Sequence, residues 1–345
     1  MGLDCTHARQ TEVALTDLSV PLAFEGGAYR NRVLLAPMSG VTDVPFRRLA
    51  WSFGAGMVTS EMVASEAFCT GMEEMRLKAE GAGLPVHVVQ IAGREPRWMA
   101  EAARLAEGSG AHVVDINMGC PARKVTSGWS GSALMRDLDH ALTLIEATVA
   151  ATRLPVSLKM RLGWDDASLN APELAARAED AGVRLVTVHG RTRCEFYKGR
   201  ADWSKVRAVR EATRLPLVVN GDVRSRDDAM RALRLSGADA VMVGRGAYGA
   251  PWICGEIAGT GAGPVDLGQH VLAHHEAILD FHGPQGLRMA RKHLNWYVEA
   301  AGLAVPPALR AWMMRADTPA EARRAIRACF SADEGTATGE GALAA

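Results

Sequence analysis

Eight short runs of consecutive apolar residues, most of them rich in β-branched side chains, recur along the first two thirds of the chain. They are Val33–Ala36, Gly56–Ser60, Val86–Ile91, Val113–Asn117, Val156–Met160, Leu185–Val188, Leu217–Asn220 and Ala240–Val243. Runs that are apolar throughout, rather than alternating, suit strands covered on both faces, as in a parallel sheet. Between most of them the apolar spacing becomes that of a helix. Pro96–Glu107 aligns Trp98, Ala102, Leu105 and Ala106, and Leu138–Ala151 aligns Leu142, Ile145 and Val149. Pro172–Asp180, Trp203–Ala212 and Arg226–Leu235 follow, each opening near a Pro, Asp or Ser suited to a helix N-terminus. This alternation predicts an α/β fold, a (β/α)8 TIM barrel. A doubly wound open sheet is the competing architecture, but it wants a Gly-x-Gly-x-x-Gly turn after the first strand and none is there.

After Val243 the pattern changes. Gly255–Gly263 with Pro264 reads as a linker. Beyond it no strand signal remains, and Val271–Phe281, Leu287–Ala300 and Pro319–Cys329 carry helical spacing. The expected organisation is a loosely attached N-terminal extension (1–25), a barrel (26–258), a small all-helical C-terminal domain (259–330) and a disordered tail (331–345).

Composition narrows the class. With 345 residues, 48% hydrophobic and 23% charged, the chain can bury a sizeable core. No run of eighteen apolar residues suggests a membrane span, and Asp4, His7, Arg9, Gln10 and Glu12 occupy the place of a signal peptide's apolar stretch. The six cysteines contain no C-x-x-C pair, which speaks against a disulfide framework or a zinc site and for a reducing cytoplasm. Lys plus Arg and Asp plus Glu are both 39. A nucleic-acid binder must therefore concentrate its positive charge locally.

The polar residues fall in a revealing place. Catalytic groups of a barrel gather at the C-terminal ends of its strands, and here those ends read Pro37-Met38-Ser39-Gly40, Ser60-Glu61-Met62, Gln90, Asn117-Met118-Gly119-Cys120-Pro121, Lys159 with Arg161, His189-Gly190-Arg191-Thr192, Asn220-Gly221-Asp222 and Gly244-Arg245-Gly246. Singly, each has a structural reading: Gln90 as a satisfied amide, Lys159 as an ion-paired core lysine, His189 as a bonded core histidine, Cys120 as a small hydrophobe. Together they indicate a site. Glycines after the seventh and eighth strands, beside Arg245, match the position of phosphate sites in barrels.

The strings Ala36-Pro37-Met38-Ser39-Gly40-Val41-Thr42-Asp43, Asp115-Ile116-Asn117-Met118-Gly119-Cys120-Pro121, His189-Gly190-Arg191-Thr192, Asn220-Gly221-Asp222 and Gly244-Arg245 resemble the tRNA-dihydrouridine synthase family. Their order and spacing agree from about Asn31 to Ile257, and Ala290–Tyr297 is similar to the bacterial B subgroup. The resemblance implies FMN across the barrel top. Pro37, Met38 and Ser39 would line one side of its ring, and Gln90, Lys159 and His189 would contact it. Asn220, Gly221, Asp222, Gly244 and Arg245 would hold its ribityl phosphate. It further implies NADPH as electron donor, Asn117 at the substrate, hydride transfer to C6 of uracil, and Cys120 protonating C5. The implied setting is a monomer, needing no metal, acting on the D-loop of tRNA at position 17. Two departures stand out: Ser39 where many relatives have Ala, and Thr126-Ser127-Gly128-Trp129 where they often continue with Asn and a basic residue.

Between Arg288 and Arg327 eight basic residues face three acidic ones. Taken alone this is a solvated helical face; beside a flavin barrel it becomes a tRNA-gripping surface, with Arg291, Lys292, Arg323 and Arg324 on phosphates and Trp296 and Tyr297 in the core. The rival reading is a flavin barrel acting on a small metabolite, akin to dihydroorotate dehydrogenases, which leaves the basic helices unexplained. A Schiff-base aldolase built on Lys159 and a non-catalytic RNA binder are more distant alternatives.

Overall fold

A computed structural model describes residues 17–330. Eight parallel strand passages form a ring: Val33–Leu35, Met57–Val58 continued by Val63–Ala64, Val88–Ala92, Val113–Met118, Val156–Arg161, Leu185–His189, Leu217–Asn220 and Ala240–Val243. The second passage closes it. Its first half pairs Leu34 with Met57, while its later residues pair Thr59 with Val88 and Val63 with Ile91. The eighth strand pairs back onto the first through Val241 and Val33. The helices Pro96–Gly108, Leu138–Ala151, Ala171–Asp180, Arg207–Ala212 and Arg226–Ser236 lie between strands where the spacing predicts them. The helix Val44–Ser52 was not anticipated, although Asp43 caps it by accepting from the Phe46 N–H and Pro45 stands in its first turn.

The strands are apolar throughout, yet their side chains still alternate. Val33, Leu35, Val219, Val241 and Val243 pack outward beneath the helices, whereas Leu34, Met57, Val88, Val113, Leu185, Val218, Ala240 and Met242 meet inside the barrel. Burying each such side chain is worth about 1.5–3 kcal/mol. The N-terminal extension joins this inner cluster: a hairpin of Leu22–Phe24 and Gly27–Tyr29 adds Leu22 and Tyr29 to it, and Leu18 is fully buried. Within the expected extension, Leu18 and Leu22 are thus anchored in the core, while most other residues of 17–25 are exposed. The rest of the expected extension and the expected disordered tail lie outside the described residues.

The linker also differs from expectation. Ile253–Ala258 is helical, and its glycines serve close approach: a Cβ on Gly255 would stand 1.8 Å from the Phe53 carbonyl oxygen, and one on Gly261 2.1 Å from the same atom. Four helices follow, Leu267–His282, Gly286–Ala300, Pro307–Arg315 and Pro319–Phe330, around Val271, Leu294, Val298, Met313, Ile326 and Cys329. They dock on the barrel through Phe46, whose ring lies 5.9 Å from His274 and 5.7 Å from His293, and through a 2.8 Å bond between His282 and Asp43. Among the described residues no helix is long and apolar enough to cross a membrane.

Candidate active site

The inward register that begins in apolar residues continues, two residues at a time, into polar ones. Val88 leads to Gln90, Val113 to Asp115 and Asn117, Ser157 to Lys159 and Arg161, Leu185 to Thr187 and His189, and Val218 to Asn220. An apolar plug thus gives way to a polar layer at the C-terminal mouth. There a cavity of about 390 Å³ opens, lined by Pro37, Met38, Ser39, Gln90, Asn117, Cys120, Lys159, His189, Asn220, Gly221, Asp222, Gly244 and Arg245. Every residue that the sequence assigns to chemistry or cofactor contact reaches this one space. Its volume suits a small-molecule site.

The polar layer is tied together. Asp115 accepts from Ser157 Oγ at 2.6 Å and from Gln90 Nε2 at 2.7 Å, and Gln90 Oε1 accepts from Asn117 Nδ2 at 2.7 Å. Asn117 Oδ1 then accepts the backbone N–H of Gly119 (3.2 Å) and Cys120 (3.0 Å). The Cys120 carbonyl takes the hydroxyl and N–H of Ser132. A chain of hydrogen bonds therefore runs from the barrel interior to the backbone that carries the thiol. Opposite, Lys159 Nζ donates to Asn220 Oδ1 at 3.0 Å, and Asn220 Nδ2 to the Met242 carbonyl at 2.8 Å.

Burial sets the charges. It pushes the Asp115 carboxyl up to about 6 against the Ser157 and Gln90 bonds and Lys159. It brings Lys159 down to about 8, with Arg161 adding to the effect and Asp115 opposing it. His189 is held well below its usual value by burial and by the cations Arg161, Lys159, Arg191 and Arg245, so it is neutral. Its Nδ1 is buried without a hydrogen-bond partner.

Three arginines shape the rim. Arg161 ties the Cys120 loop to the loop after the sixth strand, donating to the carbonyls of Gly119 (2.8 Å), Thr192 (2.8 Å) and Phe196 (2.9 Å). Arg191, buried, forms a fork on Asp222 at 3.1 and 2.5 Å, and Asp222 also accepts the Ala201 N–H. Burial disfavours the Asp222 carboxylate, but these bonds and Arg245 outweigh it and keep its pKa below the usual range. Arg245 stands 3.6 Å from Asp222 and 4.7 Å from the Tyr197 ring. Asp222 is thus a brace for two arginines, and its carboxylate would repel an anion. Sequence reasoning missed Asp115, Arg161 and Arg191 as supports; the first two share the inward parity of their strands and could have been found from it.

The four basic residues assigned to the helical region lie away from the cavity lining. Arg291 reaches the Ala316 carbonyl (3.4 Å) and Asp317 (3.8 Å), and Arg323 reaches Glu276 (3.9 Å). Lys292 Nζ sits 3.1 Å from where a Cβ on Gly40 would be. Tyr297 is buried, and Trp296 stacks on the cavity-lining Tyr248 at 4.0 Å, so both aromatics pack inward.

The dihydrouridine synthase (Dus) family model matches residues 34–333. The chain belongs to this family. Among its relatives, a probable tRNA-dihydrouridine synthase of Rhizobium leguminosarum bv. phaseoli is 54% identical over 90% of this chain and 98% of its own. One of Rhodobacter capsulatus is 56% identical over 88% and 95%. The tRNA-dihydrouridine synthase B of Xanthomonas campestris pv. campestris is 45% identical over 86% and 91%. In fold the synthase resembles more distant barrels. Morphinone reductase superposes with a TM-score of 0.52 at 14% identity, covering 74% of this chain and 93% of its own. TcOYE superposes at 0.56 and 12%, covering 72% and 94%.

Proposed function

We propose that this synthase reduces uridine in tRNA to 5,6-dihydrouridine, with FMN as its flavin, NADPH as electron donor and Cys120 as proton donor. The observation that carries the proposal is the convergence of Cys120, Lys159, Gln90, His189 and the Gly221–Arg245 wall on a single cavity. The cavity fits a flavin phosphate. Gly221, at φ +114°, stands in a region that favours glycine. Gly244 has open space before it, since a Cβ there would meet only Ala36, at 3.9 Å. Arg245 supplies charge to that wall. The partnerless Nδ1 of His189 is a buried polar atom of the kind a ligand satisfies.

FMN, when bound, would supply the hydride that C6 of uracil receives. The chain's own residues do the rest. Pro37, Met38 and Ser39, which line the cavity, would form one wall for the flavin's ring. Lys159, with a pKa of about 8, is mostly cationic at neutral pH and would offer a fixed positive charge to the flavin ring. Gln90 presents an amide whose orientation Asp115 and Asn117 fix. Cys120 Sγ–H gives its proton to C5, which completes saturation of the C5=C6 bond, and the thiolate regains a proton from water. Asn117 serves this step indirectly, by holding the backbone of the donor. The uridine must leave its stack to enter the cavity.

The helical region, residues 259–330, supplies the tRNA surface in this proposal, with Arg291, Lys292, Arg323 and Arg324 on phosphates, and position 17 of the D-loop is the target. The test is nucleoside mapping of tRNA from a strain lacking the gene, with and without its restoration. Loss of dihydrouridine at one D-loop position and its return on complementation are expected; an unchanged dihydrouridine map overturns the proposal.

A further inference from the structure

The loop after Cys120 carries Thr126-Ser127-Gly128-Trp129, and the proposed chemistry leaves Trp129 unused. Trp129 is 55% exposed, a large apolar ring left in water, and holds a left-handed φ of +56°. Such a conformation costs a non-glycine residue free energy and marks positions held for a reason. Trp129 is also the end of a stack. The Arg136 guanidinium lies 5.4 Å from its ring and 4.9 Å from the ring of Trp164. Arg193 then lies 4.6 Å from Trp164 and 4.5 Å from Phe196. Phe196, at φ +53°, lines the active-site cavity. Five side chains, alternately aromatic and cationic, thus run from open surface to the cavity mouth.

The stack is held from below. Arg193 and Cys194 donate backbone N–H bonds to the carbonyls of Gly163 and Trp164, at 3.0 and 2.9 Å, which locks the two loops together. Its cations are uncommitted. Among the described residues neither guanidinium has a carboxylate within salt-bridge distance, and Arg193 Nε is buried without a partner. Nearby acids are engaged elsewhere: Asp137 on the His140 N–H, Asp139 and Glu173 on Arg177, Asp166 on Lys205, Asp165 on Ser168, and Glu195 on Thr192.

We propose that this Trp129–Arg136–Trp164–Arg193–Phe196 ladder is a subsite for unpaired nucleotides flanking the target uridine. In it Trp129 stacks on one base and the two guanidiniums meet the adjoining phosphates. The inference rests on the reading of tRNA as substrate. An exposed ring offers a face to any base, and guanidiniums ordered between rings are pre-aligned for phosphate oxygens, which is the chemistry of single-stranded nucleic-acid grooves. Continuity with the cavity selects the strand on either side of an extruded base as the occupant.

The test measures binding of unmodified tRNA transcript to the flavin-loaded enzyme across a salt series, with thermal melting to establish that each variant is folded. Trp129→Ala should raise the Kd by roughly 5- to 100-fold, the size of one stacked base. Trp129→Phe should recover most of that loss, because it restores an aromatic face; a merely structural role for the indole would not be rescued by the smaller ring. Arg136→Ala combined with Arg193→Ala should lower the slope of log K against log salt by about 1.4–1.8, as two lost phosphate contacts require. If wild-type enzyme makes dihydrouridine while Trp129→Ala binds tRNA as tightly, this inference fails and the substrate reading stands. If the wild-type enzyme neither binds nor modifies tRNA, both fall.

Discussion

Asp115 accepts a 2.7 Å hydrogen bond from Gln90 Nε2, and that contact determines which end of the Gln90 amide faces Asn117 and, through Asn117, the backbone of Cys120. The same carboxylate is the counter-charge that partly offsets the desolvation of Lys159. One buried acid therefore orients the amide and sustains the cation of a single site.

Asp115→Asn tests the second role. Removing the negative charge takes away an influence that raises the Lys159 pKa, so that pKa should fall below about 8. The alkaline limb of flavin affinity, read by fluorescence titration over pH, should move to lower pH. An unmoved limb would mean that Lys159 takes its charge state from something else.

Asp222 and Arg245 lie on one wall but should fail differently when replaced. Arg245 is part-exposed, and Arg245→Ala should weaken flavin retention by about 1.5–3 kcal/mol, one charge-assisted phosphate contact, with little loss of stability. Asp222→Ala strands the buried Arg191 guanidinium and should cost about 3–5 kcal/mol in urea unfolding of the flavin-free protein. Equal stability of the two variants would contradict the bracing role of Asp222.

Acid should lower the stability of the fold. Burial lowers His87, His270 and His293 to about 4. Each binds its proton in the unfolded chain at about 6.5 and resists it when folded, so each contributes stability that is complete above about 6.5 and is lost as pH falls towards 4. Asp115, raised to about 6, works in the opposite sense between its unfolded value and 6. Counting only these four groups, unfolding takes up about two net protons in this window, which makes stability rise with pH by a few kcal/mol per unit. Urea midpoints should rise from pH 4.5 to 6.5; a flat profile would show that these histidines are not buried as described.

Much of this architecture is legible in the chain. All eight strands were recoverable because each is covered on both faces, which leaves an apolar run too short to be a helix. That the polar residues at the strand ends share one cavity has a related reason: inside a barrel, parity is kept along a strand, so the residue two beyond Val88 or Val113 faces the same interior. What the chain does not display is contact across distance. Arg191 meets Asp222 over 31 positions, and nothing local to either marks the pair. Glycines 255 and 261 read as flexible because the Phe53 carbonyl that requires them is two hundred residues away. The hairpin of residues 22–29 is three residues a strand, too short for periodicity to register.

Cys120 offers the sharpest test of the proposed chemistry, because the protein contains its own comparison. Cys254 is fully buried, with Sγ 3.8 Å from the Leu34 carbonyl, and burial pushes its thiol up to about 12. It is a core side chain, and Cys254→Ala should cost stability through lost packing while leaving the reaction itself intact. Cys120 is only half-buried, lines the cavity, and is positioned through its backbone rather than its sulfur. Cys120→Ala should therefore melt close to the wild type. Single-turnover oxidation of pre-reduced enzyme by unmodified tRNA should instead slow by about 10²–10⁴-fold, the usual loss on removing a positioned general acid. Cys120→Ser should recover little of it, because a hydroxyl of similar size is a far weaker acid than a thiol. A Cys120→Ala enzyme that turned over tRNA at near-normal rates would remove the thiol from the mechanism and direct attention to the hydroxyls of the adjoining loop, Thr126 and Ser127.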